Sequence, residues 1–583
     1  MNINHYTLTF LSVLFSFAFK AQTTGTWTPV ATQGLNSNAG VMLLLTDGSV
    51  ICKTDAGSSD GVGNSWNRLT PDASGSYVNG SWSFIAQMID SRLYFSSQVL
   101  RDGTVYVAGG EYGTGGGNGE IYYPQYDIWG TAGTVHAGDT MSDANSQMLP
   151  DGRILQAVVK STTYGYNSNL FYNPVTMSYT HAPSCHKSHD ESAWLKLPDN
   201  SILFVDINDV SSERFIPSLN QWVVDATVPV SLYEPFGEET GASFLLPDGR
   251  GFFIGGTSKT AYYTPSGTNA PGTWAAGPDI PNGLGAVDAA AAMMVNGKIL
   301  CAFSPSSTAT ATDSIFKTPT YFYEFDYLTN TFTQVQAPNG TDTLNVAGYV
   351  TNMLDLPDGT VLYASQGSAQ YYIYTPAGSP LASGKPTINS VNRISCDTLM
   401  LTGTLFNGIS QGAAYGDDWQ MATNYPIVRL SNGTNVYYAK TFNWNSYGVM
   451  RGNQADTTYL QLPAGMPPAT YSMVVTANGI SSDPVILNSC VTGIHEITRH
   501  NGEIKLYPNP AQDQCSVSFT TFSEGPYTLS VEDVTGRLIA TDSGKAVPGN
   551  NTHTLHVNNL PKGAYLVTIR KGTEVFSSRL MVK

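Results

Sequence analysis

The sequence predicts an all-β protein with a seven-bladed β-propeller as its main domain, followed by two smaller β-domains. Seven short apolar runs each meet a tight turn and continue into a second apolar run. The turns begin at Asp47, Asp102, Asp151, Asp199, Asp248, Asn296 and Asp358. They recur about every fifty residues, a repeat long enough for four strands. Asp-Gly between apolar runs predicts a hairpin, because both central residues of its turn need positive φ. Four-stranded sheets repeated radially form a propeller.

Most copies continue into a second signature, in which an aromatic residue and a polar turn precede another aromatic residue. Examples are FIPSLNQW (Phe215–Trp222) and FDYLTNTF (Phe325–Phe332). These copies resemble kelch repeats, over roughly residues 26 to 380. The last repeat reaches YIYTP (Tyr372–Pro376) and lacks its final aromatic strand, which TWTPVA (Thr26–Ala31) can supply. We therefore expect the N-terminal strand to complete the last blade, which leaves no open sheet edge in the ring.

The N-terminus predicts export. The apolar run Leu8–Phe19 is too short to span a bilayer and lies at the extreme N-terminus, which is typical of a secretory signal. We expect residues 1–21 to form this signal, with cleavage near Ala21. No other segment has the length and hydropathy of a membrane span, so none is expected.

The propeller is expected over residues 22–380, followed by a Pro/Gly-rich linker and a strand-rich segment over residues 385–490. That segment has the size of an immunoglobulin-like sandwich. Cys396 and Cys490 bracket it, and a disulfide between them would tie its first strand to its last. A propeller followed by such a sandwich resembles the arrangement of galactose oxidase and glyoxal oxidase. This resemblance concerns architecture, and activity has to be argued from the site.

The C-terminal segment, residues 504–583, carries three motifs. They are a YPNP element, a VEDVTGR turn and a GAYLV strand, and the chain ends on a basic residue. The segment resembles the type A C-terminal sorting domain of type IX secretion substrates. The resemblance implies a Bacteroidota cell, the type IX machinery as a partner, and a secreted or surface-attached product from which the domain is removed.

The net charge of −16 argues against a nucleic-acid partner, since a phosphate backbone needs a cationic footprint. Charged residues instead recur at one position of the repeat. They lie about eight residues before each turn, where a propeller brings equivalent positions together at one rim. The predicted catalytic residues are Asp143, His189, Glu191, Glu239 and Asp288, and the predicted ligand-binding residues are Arg92, Tyr94, Glu238 and Tyr349. The alternative is that these side chains cap strands and turns.

Metal binding stays open at this stage. HAPSCHKSHDES (His181–Ser192) offers imidazole, thiol and carboxylate groups at short spacing, and an acidic rim suits calcium or another divalent cation. The oxidase resemblance implies copper held by two His and two Tyr, one Tyr bonded to a Cys. Here Val350 follows Tyr349 where a His is expected, and the sandwich contains no His, although Cys185 and Tyr233 have a tolerable spacing for the cross-link. Copper is therefore not expected.

Three functions follow as hypotheses. The first is a secreted or surface-attached protein that binds an extracellular carbohydrate or related polymer at the acidic rim. The second is a glycan hydrolase or lyase that uses the rim carboxylates and His189 as acid and base. The third is a divergent galactose oxidase-like protein without the copper ligands. The sequence alone leaves open whether the protein is an enzyme.

Overall fold

The computed structural model describes residues 24–55, 61–163, 165–191, 193–236, 239–307, 314–414, 421–433, 435–490, 504–521, 523–572 and 574–583. It divides into two compact units, Met1–Cys490 and Val491–Lys583. The predicted signal segment, residues 1–21, lies outside the described residues. None of the helices that the structure describes is long and apolar enough to cross a bilayer.

The first unit contains, in its described part, seven antiparallel sheets that are the blades: six have four strands, and the sheet of blade 6 has two short strands added to its four. Blades 1 to 3 are Asn38–Leu44, Val50–Thr54, Ser65–Thr70 and Ser81–Phe84; Ser96–Val99, Val105–Ala108, Asn118–Tyr123 and Ile128–Thr134; and Ser146–Met148, Ile154–Val158, Ser168–Asn173 and Ser178–Ala182. Blades 4 and 5 are Trp194–Lys196, Ile202–Val205, Ser212–Ile216 and Gln221–Val224; and Ser243–Leu245, Gly251–Ile254, Thr260–Thr264 and Thr273–Ala276. Blade 6 is Ala291–Met293, Ile299–Pro305, Tyr321–Asp326 and Thr331–Val335.

Blade 7 confirms the predicted ring closure. Its strands Thr351–Asp355, Val361–Ser365 and Tyr372–Thr375 are completed by Thr26–Pro29, which pairs antiparallel to the third strand with Trp27 opposite Tyr374. Trp27 packs between the aromatic rings of blades 6 and 7, so the N-terminal strand closes both the sheet and the core. The predicted all-β propeller fold is confirmed, while the kelch assignment stays a prediction.

Short elements extend the blades. Arg92–Leu93 pairs with Tyr112–Gly113, Asp139–Thr140 with Lys160–Ser161, and Leu284–Gly285 with the second strand of blade 6. The described helices are single 3-10 turns, and they span Pro281–Gly283, Gly348–Val350 and Ala382–Gly384.

The first strand of each blade is the innermost, since first strands of successive blades contact one another. The core between the blades falls into several apolar clusters and is strongly aromatic, and Trp66, Tyr106 and Trp222 are among its fully buried side chains. An apolar stack of this kind fixes each blade against the next. The two ends of the innermost strands therefore form two distinct rims around the axis.

A β-sandwich follows the ring. Its strands are Thr387–Arg393, Thr398–Thr404, Ile427–Ser431, Val436–Phe442, Asp456–Gln461, Thr470–Ala477, Ile480–Ser481 and Val485–Asn488. They enclose a core of alternating apolar residues that includes Leu401, Val428 and Tyr471. Cys396 and Cys490 form a disulfide across this region. The strand Ala413–Ala414 leaves the sandwich and pairs with the innermost strand of blade 6.

The sandwich covers the rim that carries the Asp-Gly turns. Gly48 lies against the ring of Tyr438, Gly103 against Lys440 and Gly152 against Tyr447. These turn glycines have positive φ, and a Cβ on Gly48 would lie 2.5 Å from Tyr438 Cγ. Only glycine combines that backbone with so close a neighbour. The opposite rim is therefore the one whose loops are left to form a site.

The second unit is a separate β-structure. One sheet has the order Lys505–Tyr507, Gln514–Thr521 and Gly549–His556, and the other has the order Leu538–Ala546, Gly525–Asp533, Gly563–Lys571 and Glu574–Val582. Val517, Leu529 and Val567 are fully buried in its core. The unit has an apolar interior of its own, as expected for an independent domain.

Candidate functional site

A wide acidic funnel opens on the rim opposite the sandwich. Its volume is about 1040 Å³, and it is lined by loops from several blades. The loops that enter the innermost strands contribute Tyr94, Asp143, Glu191, Glu239, Asp288 and Tyr349. The loops that leave the second strands contribute Asp55, Glu111, Asn208 and Gln366. Both loop types end at the same rim, because the Asp-Gly turns lie at the other end of these strands.

Four lining side chains share one position and one unusual backbone conformation. Tyr94, Asp143, Glu191 and Asp288 each lie eight residues before the turn of their own blade. Their φ angles are 50°, 44°, 52° and 48°. Left-handed backbone is costly for residues other than Gly and is concentrated at functional sites. The repeat therefore holds four equivalent side chains at the funnel in the same strained conformation.

Carboxylates dominate the funnel. The lining includes Asp55, Glu111, Asp143, Asp190, Glu191, Glu239 and Asp288, and the described lining residues include no Lys, Arg or His. Asp143, Glu239 and Asp288 are each 6% exposed, so they lie deep in the funnel. Partial burial, followed by the carboxylates of Glu111, Asp143 and Glu191, raises the pKa of Tyr112 to about 12. The funnel interior thus carries a strongly negative potential.

Aromatic side chains stand among the carboxylates. The rings of Phe316 and Tyr349 lie 4.6 Å apart, and those of Tyr94 and Tyr112 lie 6.2 Å apart. Gln366 of blade 7 donates a hydrogen bond to the hydroxyl of Tyr94 at 3.3 Å, which links loops on either side of blade 1. Tyr112 is half exposed and Phe316 is 36% exposed, so both present ring surface to the solvent-filled funnel.

Arg92 does not face the funnel as expected. Its guanidinium is fully buried and bonds to the carboxylate of Glu120 at 2.9 Å, with further hydrogen bonds to the carbonyls of Gly109 and Asn118. Arg92 lies two residues before Tyr94, and its side chain enters the interior of blade 2. The positive charge of Arg92 therefore compensates Glu120, and Arg92 is not placed to bind a ligand in the funnel as predicted.

His189 is also buried, away from the shared funnel in which it was expected. Its ring is stacked on Phe204 with centroids 3.7 Å apart, and its Nε2 lies 3.1 Å from Glu213 Oε1. Burial alone would lower the pKa of His189, but Cys185 and Glu213 raise it to about 9. With its imidazole inside blade 4, His189 cannot serve as acid or base for a ligand in the funnel.

Cys185 belongs to the same buried group. Asn169 donates to its sulfur at 3.2 Å, and the thiol lies 3.0 Å from the carbonyl of Lys187. Cys185 is thus a buried cysteine outside the disulfide, held by polar contacts. Burial would raise the pKa of Glu213, but His189 and the backbone N–H groups of residues 186 and 187 lower it. A thiol, an imidazole and a carboxylate thus meet inside one blade.

The other predicted site residues either line the funnel or lie outside the described residues. The funnel brings together Tyr94, Asp143, Glu191, Glu239, Asp288 and Tyr349, whereas Glu238 lies outside the described residues. Phe316 and Gln366 also line the funnel and were missed. Gln366 directly follows a second strand, and that signal could have found it. Phe316 lies in the connection between the second and third strands of blade 6, which carries no repeat position to mark it.

The C-terminal unit matches a known family. A family model described as the secretion system C-terminal sorting domain matches residues 505–583. The chain carries a type IX sorting domain. This domain directs the protein to the cell surface or the extracellular space through the type IX machinery, as the C-terminal motifs predicted.

Comparisons with solved structures return remote likenesses. A fungal alcohol oxidase of the AA5 family, solved in complex with copper, aligns over 80% of this chain and 99% of its own, at 13% identity and a TM-score of 0.47. A streptogramin B lyase aligns over 61% of this chain and 99% of its own, at 12% identity and a TM-score of 0.41. Likenesses this remote say nothing about activity. No curated protein matches the sequence significantly.

Proposed function

We propose that the protein is a secreted propeller that binds an extracellular glycan in the acidic funnel. The supporting observation is the combination of seven carboxylates with exposed aromatic rings in one open cavity of about 1040 Å³. Carboxylate oxygens accept hydrogen bonds from sugar hydroxyls, and aromatic faces pack on sugar rings. A cavity of this size accommodates several sugar units, in the range of ordinary ligand sites.

The charge of the funnel selects the glycan class. Uronic acids, sulfated sugars and phosphate polymers would place like charges beside Asp143, Glu239 and Asp288, which are nearly buried. Like-charge juxtaposition of this kind costs several kcal/mol, about enough to exclude a ligand. The ligand is therefore a neutral glycan or one that carries amino groups. A bound divalent cation such as calcium would widen this range, since acidic oxygens are its preferred ligands.

The aromatic side chains supply the apolar half of the contact. Tyr112 and Phe316 expose ring surface, while Tyr94 and Tyr349 are packed against them and hold their orientation. A sugar ring that stacks on Tyr112 would reach the carboxylates of Glu111 and Asp143, whose charges act on the Tyr112 hydroxyl. Stacking and hydrogen bonding are thereby available to one ligand at the same place.

A glycan hydrolase or lyase is the second candidate. Its support is that Asp143 and Glu191 come from adjacent blades and occupy equivalent positions, which is how a pair of carboxylates could flank a glycosidic bond. His189 has no part in this version, because its ring is inside blade 4. A hydrolase would shorten the bound glycan and a lyase would leave it unsaturated, whereas a binding protein would leave it unchanged.

The test is a glycan array probed with the purified chain, followed by calorimetric titration of each glycan that binds. Tyr112→Ala and Asp143→Asn should each weaken binding by about tenfold or more, since each removes a central contact. Asp151→Asn, on the turn rim, is the matched control and should bind like the unchanged protein. Binding that is insensitive to both funnel variants would overturn the proposal, and mass spectrometry of incubated glycans separates the enzyme from the binder.

A further inference from the structure

A buried cluster of three metal-binding side chains lies inside the propeller, apart from the funnel. Cys185, His189 and Glu213 offer ligand atoms that all lie within 4.8 Å of one another. The three residues are 3%, 1% and 1% exposed. Cys185 lies in the connection between blades 3 and 4, and Glu213 lies on the third strand of blade 4. The cluster therefore ties that connection to the sheet it enters.

Blade 2 shows what this position looks like without a thiol. Glu120 and Glu213 both lie opposite the residue five positions after the turn of their blade, Val107 and Phe204 respectively. In blade 2 the carboxylate is neutralised by the guanidinium of Arg92. Blade 4 has the smaller His189 at that place and a thiol close by. Among the described residues, Glu213 has His189 as its ion-pair partner and no Arg or Lys, so a metal ion could take the place that the guanidinium has in blade 2.

Two further polar atoms lie at the cluster. His189 Nδ1 and Asn169 Oδ1 are buried and make no hydrogen bond. Buried polar atoms usually have a partner, so both atoms are open to a group bound beside the Cys185 sulfur. Asn169 already contacts the Cys185 sulfur through its Nδ2 atom. If the Asn169 amide group is rotated so that its oxygen and nitrogen exchange places, the oxygen lies beside the sulfur and can act as a fourth ligand.

We propose that Cys185, His189 and Glu213 bind a zinc ion, with the Asn169 amide oxygen completing the site. Sulfur, imidazole nitrogen and carboxylate oxygen are the usual zinc ligands, with bonds of about 2.0 to 2.3 Å. Ligand atoms this close together need only small side-chain adjustments to reach such bonds. Two backbone N–H groups already orient the Glu213 carboxylate, as the outer contacts of metal ligands generally do. The site is closed, so its zinc is structural.

The competing occupant is a proton shared by imidazole and carboxylate, and the experiment must separate the two. The full chain is purified under reducing conditions, loaded with zinc, and passed over a desalting column in a buffer with a weak chelator. Metal analysis should give about one zinc per chain. Cobalt loading should produce the near-ultraviolet absorption band of a thiolate–cobalt bond, which carboxylates of the funnel cannot give.

Cys185→Ser should lose the cobalt band and weaken zinc binding by about tenfold to a hundredfold or more. Cys301→Ser is the matched control, because it removes another buried thiol, in blade 6, and should keep both signals. Circular dichroism checks the fold of each variant, and zinc should raise the melting temperature of the unchanged chain. Absence of a thiolate band in the folded, unchanged chain would overturn the proposal whatever the variants do, as would a band that survives Cys185→Ser.

Discussion

Glu213 in blade 4 occupies the position that Glu120 occupies in blade 2. Each carboxylate accepts hydrogen bonds from two backbone N–H groups of the connection that precedes its blade, at residues 89 and 90 for Glu120 and at residues 186 and 187 for Glu213. Each also bonds to a cationic or imidazole side chain ten residues before the turn, Arg92 or His189. The same set of hydrogen bonds and one ion pair thus fixes the loop that enters each of these two blades, and both loops end at the funnel.

Arg92 should be among the most sensitive positions in the propeller. Arg92→Ala leaves the Glu120 carboxylate buried without its partner, and the expected cost in the free energy of unfolding is about 3 to 5 kcal/mol. Lys259→Ala is the control, because Lys259 pairs with Asp279 at the surface, and an exposed pair is worth about 1 kcal/mol or less. Thermal unfolding followed by circular dichroism measures both. Equal losses of unfolding free energy in the two variants would contradict the stabilising role of the Arg92–Glu120 pair.

Trp27 should hold the ring closed. Its indole packs on Tyr363 and Tyr374 and donates to the carbonyl of Gln336 at 2.7 Å. Trp27→Ala removes these contacts from the last strand of blade 7, and we expect a loss of about 3 kcal/mol. Limited proteolysis should also cut the N-terminal strand sooner. Leu328→Ala serves as the control, since Leu328 is 75% exposed, and its behaviour should match that of the unchanged protein.

Lys196 should make stability depend on pH. Its ammonium is fully buried between blade 3 and the sandwich, where it donates to the carbonyls of Met148 and Tyr447. Burial lowers the pKa of Lys196 to about 7. The unfolded chain therefore binds one more proton between pH 7 and about 10.5, so this residue makes stability rise with pH, by at most about 1.4 kcal/mol per unit. The difference in melting temperature between the unchanged chain and Lys196→Met should change across that window; a constant difference would contradict it.

The sorting unit should be required for export and dispensable for the propeller. Removal of residues 491–583 leaves the first unit with its own core and the Cys396–Cys490 disulfide. In a host with type IX secretion, we expect this shortened chain to accumulate in the periplasm, folded and resistant to protease. Fractionation and immunoblotting measure its location against the full chain. Normal appearance of the shortened chain in the medium would contradict the prediction.

The fold was predictable because its signals are local. Each Asp-Gly turn specifies a hairpin within a few residues, and repetition of the turn specifies the ring. Trp27 was also predictable, because the last repeat visibly lacks a strand. The sorting domain was readable from short motifs that lie within single strands and turns. None of these inferences needed knowledge of contacts between distant residues.

The site was predictable only in part. Repeat position correctly brought Asp143, Glu191 and Asp288 to one rim, because equal positions in a propeller lie at equal radii. The same counting wrongly placed Arg92 and His189 there. They lie only two residues before funnel positions, but their partners Glu120 and Glu213 come from third strands that follow more than twenty residues later. Such pairings depend on the packing of the blade, which no local pattern reports.

Asp143 should lower the free energy of unfolding of the propeller while it contributes to glycan binding. Its φ of 44° is costly for a side chain, whereas glycine adopts this conformation freely. Asp143→Gly also removes one charge from an acidic cluster, so we expect a gain of about 1 kcal/mol in the free energy of unfolding together with loss of glycan binding. The matched control is Thr240→Gly at the equivalent position of blade 5, where φ is not positive and glycine should destabilise by about 1 kcal/mol. Thermal unfolding and calorimetric titration of the two variants measure these effects. A loss of stability in Asp143→Gly would mean that its side chain supports the fold rather than the site.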